Sequence, residues 1–175
     1  RLACVGNHAG DPIDDVRLAI LRAEDGTMVR EATPGFRREG VCWTDDGHLL
    51  VGVTGSGKDT SLAVLAAGSE ETSILGHGTR PHLDPQTGDI LFLHRDALWR
   101  RDLTARAPVP VADGMAGVRD YSFTADPSLL LVARSRLHRF GTVRHYLLLV
   151  DTASVPNRRH VLSAKHIPSW CVWTP

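Results

Sequence analysis

The chain has few cysteines, no long apolar segment and no excess charge of one sign. Three cysteines cannot all pair within one chain of 175 residues, and each lies in an apolar stretch. We therefore interpret them as reduced, buried core residues rather than a disulfide framework. They are Cys4, Cys42 and Cys171. No run approaches the roughly 20 apolar residues of a membrane-spanning helix, so no span is predicted.

The charges balance overall but not along the chain. Twenty basic and twenty acidic side chains give a formal net charge of zero, so no global field predicts nucleic-acid binding. Residues 1–79 hold 7 Lys/Arg against 12 Asp/Glu, residues 80–117 hold 5 of each, and residues 118–175 hold 8 against 3. The chain is therefore acidic at one end and basic at the other.

The sequence also lacks long helical patterns with capping residues. It contains an internal repeat instead. Trp43, Leu83, Phe123 and Trp173 stand in equivalent contexts, at spacings of 40, 40 and 50 residues. The copies begin at Cys42-Trp43-Thr44-Asp45-Asp46-Gly47, His82-Leu83-Asp84-Pro85, Ser122-Phe123-Thr124-Ala125-Asp126-Pro127 and Val172-Trp173-Thr174-Pro175. An apolar segment follows the turn in each of the first three copies. The recurring aromatic or leucine position is predicted to anchor the core between repeats.

Each copy continues with two further apolar strands, which makes four strands per repeat. The third strands are predicted at residues 61–66, 97–103 and 146–151, and the fourth at 72–75, 109–112 and 160–163. A period near 40 residues with four strands is typical of β-propeller blades. We predict an all-β propeller of four-stranded antiparallel blades, incomplete at both ends. The units are 1–39 without its first strand, 40–79, 80–117, 118–167 with an extended basic loop, and 168–175 as the first strand of a further blade.

The turn that opens each repeat resembles the "SPDG" turn of TolB-like, WD-repeat-like propellers. It runs Trp43-Thr44-Asp45-Asp46-Gly47 in one copy and Leu83-Asp84-Pro85-Gln86-Thr87-Gly88 in the next. The Gly-His and Trp-Asp dipeptides of true WD repeats are missing. The resemblance implies a propeller, and the incomplete ends lead us to expect that the remaining blades come from the same or another chain. Both a cytoplasmic and an exported location stay open.

Two short motifs suggest chemistry that their context does not support. The segment 52–59, Gly-Val-Thr-Gly-Ser-Gly-Lys-Asp, resembles a phosphate-binding loop. Asp59 stands where that motif needs a hydroxyl, and the repeat makes the segment a hairpin turn. The nine histidines include no tight pair with metal-ligand spacing. We therefore predict no cofactor and no metal.

Polar loops at one end of the blades form the candidate binding surface. The loops between second and third strands, and the connections between blades, share one face of an up-and-down propeller. The candidate ligand-binding residues there are His77, His94, Arg136, Arg139 and His166. The arginines belong to the segment 134–145, which accounts for the ten extra residues of the longest repeat. Guanidinium groups hold carboxylate or phosphate bidentately, so this loop is predicted to anchor an anion. A solvated loop that balances the acidic blades is the alternative.

The sequence favours a non-catalytic propeller that recognises a protein or another ligand through its loop face. No ordered nucleophile motif such as Gly-x-Ser-x-Gly is present. The alternative function is the propeller part of an enzyme. Two forms of it resemble known families, a prolyl-oligopeptidase-like peptidase and a metal-dependent oligogalacturonate lyase. Neither resemblance assigns a catalytic residue in this chain.

Overall fold

The structure, a computed structural model, describes residues 2–6, 17–32, 36, 40–44, 49–55, 59–66, 69, 71–104, 107–111, 116–137, 141–152 and 159–163. The described residues form strands and turns without a helix, as the sequence predicted. None of the described residues belongs to a helix long and apolar enough to cross a bilayer. The predicted strand near residue 169 lies outside the described residues.

The described residues form fifteen strands that follow one another along the chain. They are β1 (Leu2–Gly6), β2 (Arg17–Leu21), β3 (Met28–Ala32), β4 (Val41–Trp43), β5 (Leu49–Thr54), β6 (Ser61–Ala66), β7 (Thr72–His77), β8 (Thr79–Leu83), β9 (Ile90–His94), β10 (Ala97–Arg101), β11 (Val109–Pro110), β12 (Val118–Phe123), β13 (Leu129–Leu137), β14 (Val143–Asp151) and β15 (Arg159–Ser163). They form one described three-stranded sheet, β1-β2-β3, and three four-stranded sheets, β4-β5-β6-β7, β8-β9-β10-β11 and β12-β13-β14-β15. Strands consecutive in sequence are neighbours in every sheet, so each sheet is an up-and-down meander. The all-β, four-stranded prediction is confirmed.

The chain divides into two compact units, which we describe separately. The first unit contains residues 1–83 and 90–92, and the second contains residues 84–89 and 93–175. In the first unit, strand β4 packs beside β1 and beside β8. Its core contains Leu18, Ile20, Phe36, Leu50, Ala63 and Leu65, with Trp43 packed against them. Trp43 therefore does contact the core, as its repeat position predicted, although Phe36 between the sheets is the more deeply buried ring.

The same kind of hydrogen bond occurs in the opening turns of two repeats. Asp84 Oδ1 accepts the Gln86 N–H at 2.9 Å, and Thr124 Oγ1 accepts the Asp126 N–H at 3.1 Å. Both residues directly follow the anchor position of their repeat. Such side chains bond the backbone two residues on and so favour turns. The "SPDG"-like segment is thus a polar-capped turn between the first and second strands of its sheet.

Two sequence interpretations need correction. The basic segment 134–145 is not an extended loop, because Arg134, Arg136 and Arg144 lie in paired strands. Strands β13 and β14 pair over nine successive positions, from Leu129 with Asp151 to Leu137 with Val143. The sequence prediction ended the strand at the last apolar residue. In the structure, the backbone hydrogen bonds between the two strands continue through residues with polar side chains. The prediction that the cysteines are buried is wrong for Cys4, which is exposed, whereas Cys42 is partly buried and Cys171 lies outside the described residues.

Residues 52–59 do not form a phosphate-binding loop, despite their resemblance to its sequence motif. Strand β5 ends at Thr54 and the following strand, β6, begins at Ser61. The two pair antiparallel, with Thr54 opposite Ser61. A phosphate-binding loop requires a helix N-terminus at that position, and residues 61–66 form a strand instead. The hairpin interpretation is therefore correct.

Candidate functional site

The end of the second unit that carries the β9–β10 turn is rich in arginine. Strands β9 and β10 are joined by two residues, Arg95 and Asp96, with φ values of 49° and 58°. Two consecutive positive φ values are those of a type I′ hairpin turn, which usually contains Asn and Gly. The backbone carbonyl of Asp96 accepts the Val118 N–H at 2.8 Å. This bond fixes the turn beside the first strand of the next sheet.

The hairpin of β13 and β14 lies next to the same strand start. The Ser135 N–H donates to the Gly117 carbonyl at 2.8 Å, and Arg134 Nε donates to the Ala116 carbonyl at 2.6 Å. Residues 134–137 and 143–146, which we name the basic hairpin, pair with each other. The hydrogen bonds thus connect the turn at 95–96, the segment 116–119 and the basic hairpin. We name this contiguous region the basic end.

Five guanidinium groups lie at the basic end against two nearby carboxylates. The arginines are Arg95, Arg119, Arg134, Arg136 and Arg144, and the carboxylates are Asp96 and Asp120. Arg119 forms an ion pair with Asp96 at 3.2 Å, with both side chains about 60% exposed (61% and 58%). An exposed pair of this kind contributes only about 0–1 kcal/mol. Its main effect is to neutralise one arginine of the cluster.

The predicted site residues are distributed as follows. Arg136 lies on the basic hairpin and is exposed. His94 ends β9 beside the turn, where its ring meets Trp99 edge-on at 6.2 Å between centroids and its carbonyl accepts the Trp99 Nε1–H at 3.1 Å. His77 ends β7 in the first unit and is exposed. Arg139 and His166 lie outside the described residues.

Sequence reasoning missed Arg95 and Arg119 at the basic end. Arg95 lies in a type I′ turn without the Asn-Gly or Asp-Gly pair that marks such turns in a sequence. Arg119 is placed there by the Val118 hydrogen bond, a long-range contact with no local signal. Arg144 was recognisable from its place in the basic segment. Its position opposite Arg136 depends on strand register.

The carboxylates at the opposite end of these sheets already accept hydrogen bonds from neighbouring residues of the chain. Asp102 Oδ1 accepts both the N–H and the hydroxyl of Thr104, at 2.7 and 2.8 Å. The backbone bond followed by the hydroxyl bond lowers the pKa of Asp102 below its ordinary value. The hydroxyl and then the N–H of Ser128 lower the pKa of Asp126 in the same way. These aspartates stabilise turns and are ionised at neutral pH.

A serine–histidine pair lies on the basic hairpin. Ser135 Oγ and His145 Nδ1 are 2.9 Å apart, on directly opposite residues of β13 and β14. A hydrolytic site would add an acid that orients the imidazole and donors for an oxyanion. In the part of the chain that the structure describes, no carboxylate is recorded against His145. Nor does that part hold a group of three or more metal-binding side chains.

Solved structures of other proteins contain a similar arrangement of sheets. The chain matches TolB from Acinetobacter baumannii with a TM-score of 0.63 and 10% identity, over 87% of this chain and 38% of TolB. The fold is that of a TolB-like β-propeller. It also matches hydrazine synthase of Kuenenia stuttgartiensis with a TM-score of 0.57 and 12% identity, over 85% of this chain and 48% of that one. The chain therefore spans less than half the length of either propeller protein.

The likeness extends to the fold alone at these identities. No protein-family model and no curated protein sequence matches the chain. A fold does not by itself imply a function, so function has to be argued from the residues of the site. In this TolB-like chain the most distinctive set of such residues is the basic end.

Proposed function

We propose that the chain is a non-catalytic recognition module that binds an acidic segment of a partner protein at its basic end. The observation that carries the proposal is the arginine cluster, in which two guanidinium groups have no partner among the described residues. Within the described residues no ion pair or hydrogen bond involves the side chain of Arg136 or Arg144. Unneutralised cations raise the local concentration of anionic partners and steer their association.

The distribution of carboxylates supports an anionic partner over a cationic one. Asp102 and Asp126 are held in turns at the other end of their sheets, and Asp89 lies 3.5 Å from Arg100. These acids are therefore engaged within the fold. A partner that meets the basic end encounters arginines whose backbone is held in a paired strand ladder, so binding does not have to order that backbone.

The experiment that tests this proposal uses a fluorescein-labelled peptide of ten glutamates as the acidic probe. In the full chain, Arg136→Ala with Arg144→Ala removes two exposed cations. The affinity is expected to fall roughly tenfold at low salt, since exposed pairs contribute about 0.2–1 kcal/mol each. The difference should vanish near 0.5 M salt, where the Debye length falls below roughly 5 Å.

A matched control removes two cations from the first unit. Arg22 is 59% exposed and forms an ion pair with Asp25, three residues away. Arg80 is exposed on β8. Arg22→Ala with Arg80→Ala changes the net charge by the same amount. Peptide affinity should remain near that of the parent chain. Equal losses in both double variants would show that net charge alone is responsible and would contradict a site at the basic end.

A further inference from the structure

The basic hairpin presents different chemistry on its two faces. Directly opposite residues of an antiparallel pair project to the same face, and successive residues alternate. One face begins with two buried pairs, Leu130 with Val150 and Val132 with Leu148. The same face continues beyond the core with Arg134 opposite Tyr146 and then Arg136 opposite Arg144. The core-facing side of the strands therefore becomes an arginine face once it passes the core.

Arg136 and Arg144 form a like-charge pair that no group in the described part of the chain offsets. Like charges directly opposite each other in a sheet are destabilising. Arg119 has Asp96 at 3.2 Å, and Arg134 donates its Nε–H to the Ala116 carbonyl. For Arg136 and Arg144, the described residues supply no carboxylate and no carbonyl acceptor. The two arginines thus occupy directly opposite positions, are exposed, and have no partner among the described residues.

The hairpin that holds these groups is braced from its other side. The Ser135 N–H bonds the Gly117 carbonyl, and Ser135 Oγ lies 2.9 Å from His145 Nδ1. Both bonds involve the residues that precede Arg136 and follow Arg144. They fix the strand register at the position where the two arginines oppose each other. The backbone positions of the two arginines are therefore set before any ligand arrives.

We propose that Arg136 and Arg144 together bind one phosphomonoester dianion. This inference rests on the proposed function and specifies the chemistry of its anion. A single carboxylate has two oxygens and is satisfied by one guanidinium fork, whereas a phosphate has three terminal oxygens and a charge of about −1.5 to −2. Two forks on neighbouring strands match the second in charge and in number of donors. Binding also removes the repulsion between the two arginines.

The decisive variant replaces both arginines by lysine. Arg136→Lys with Arg144→Lys keeps two positive charges but loses both planar forks, and such a change is not conservative at a bidentate site. The probes are a labelled peptide with one phosphoserine, the same peptide with serine and the same peptide with glutamate. The parent chain should bind the phosphoserine peptide about tenfold more tightly than the glutamate peptide, as expected for one additional charge-assisted hydrogen-bonded contact. The lysine variant should lose that preference.

The outcomes separate this inference from the proposed function. If the lysine variant keeps its affinity for the ten-glutamate peptide and loses the phosphoserine preference, both proposals stand. If the parent chain shows no preference for phosphoserine over glutamate, the phosphate site is refuted while acidic recognition survives. If inorganic phosphate competes with the peptide at equal molar concentration, free phosphate is the ligand rather than a phosphorylated side chain. Stronger binding to phosphatidylserine vesicles than to either peptide would overturn the assignment to a phosphomonoester.

The arginine repulsion gives an independent signature in the unliganded chain. Arg136→Gln removes one of the two like charges and leaves the strand pairing intact. The melting temperature of this variant should be equal to or higher than that of the parent chain. Its gain in melting temperature on addition of 10 mM phosphate should be smaller than the parent's. Sodium chloride at the same ionic strength serves as the control, because it screens charge without supplying a tetrahedral dianion. A lower melting temperature in the unliganded variant would contradict the repulsion argument.

Discussion

Substitution of Gly117 by alanine tests how the basic hairpin is held. Gly117 has φ +85°, and its carbonyl accepts the Ser135 N–H at 2.8 Å. A Cβ at this position would overlap the Ser135 carbonyl oxygen and approach its carbonyl carbon to 3.2 Å. Both obstructing atoms are backbone, so they cannot rotate away as a flexible side chain would. The strand β13 has to move relative to the segment 116–119.

The magnitude follows from two separable costs. A left-handed backbone costs a non-glycine residue roughly 1–2 kcal/mol. Displacement of Ser135 also removes its hydrogen bond to Gly117, which contributes about 0.5–1.5 kcal/mol. We therefore expect Gly117→Ala to lower the free energy of unfolding by about 2–3 kcal/mol. Affinity for anionic probes should fall as well, because the bond that sets the hairpin is lost.

Gly141→Ala is the matched control for the first of these costs. Gly141 has φ +72° and no atom within 4 Å of an added Cβ. It lies between β13 and β14, so both substitutions affect the same hairpin. Urea denaturation followed by circular dichroism should give a loss of about 1–2 kcal/mol for Gly141→Ala and a larger one for Gly117→Ala. Equal losses would show that the close approach to Ser135 carries no energetic weight, and the reasoning would be wrong.

Two further predictions concern titratable groups. Burial raises the pKa of the Cys42 thiol to about 12, against an opposing hydrogen bond from the Leu83 backbone, whereas Cys4 is exposed. Iodoacetamide at pH 8 should therefore modify Cys4 first and Cys42 only on unfolding, as followed by mass spectrometry. Equal rates of modification would contradict the burial of Cys42. The pKa of Asp102 is lowered in the folded state, so its stabilising effect is present above the unfolded value near pH 4 and is lost as the pH falls through the lower folded value. Asp102→Asn should therefore differ most from the parent in urea-measured stability at neutral pH and converge with it in acid; a difference that is constant with pH would refute the role of the ionised carboxylate.

The repeat made the fold predictable from the sequence. Apolar segments and turn residues recur at fixed offsets, so the same prediction was supported several times along the chain. Strand β6 spans Ser61–Ala66 as predicted. Strand ends were less predictable, because β14 begins at Val143 rather than at residue 146. The backbone ladder continues wherever the partner strand is in register, whatever side chains it carries.

The candidate site was predictable only in part, for the same reason. The arginine-rich segment was recognisable from local composition, and Arg136 does lie at the basic end. The neighbours of Arg136 depend on contacts far apart in the sequence. Asp96 reaches Arg119 across 23 residues, and Arg134 reaches Ala116 across 18. No local pattern encodes such distances, so the set of groups that surround an anion emerges only with the fold.

The two ends of the second unit's sheets use their charges differently, and this asymmetry favours one function for the basic end. The carboxylates of Asp102 and Asp126 are each held by two hydrogen bonds from a hydroxyl residue two positions on. Their charges stabilise turns that connect strands within a sheet. At the other end, Arg136 and Arg144 oppose each other on strands whose pairing needs no guanidinium group. Charges that contribute nothing to folding, and that repel each other, weaken the fold unless a ligand compensates. Asp102 and Asp126 are engaged in turns and Asp96 pairs with Arg119, so the anion that we propose as the compensating ligand comes from outside the described part of the chain.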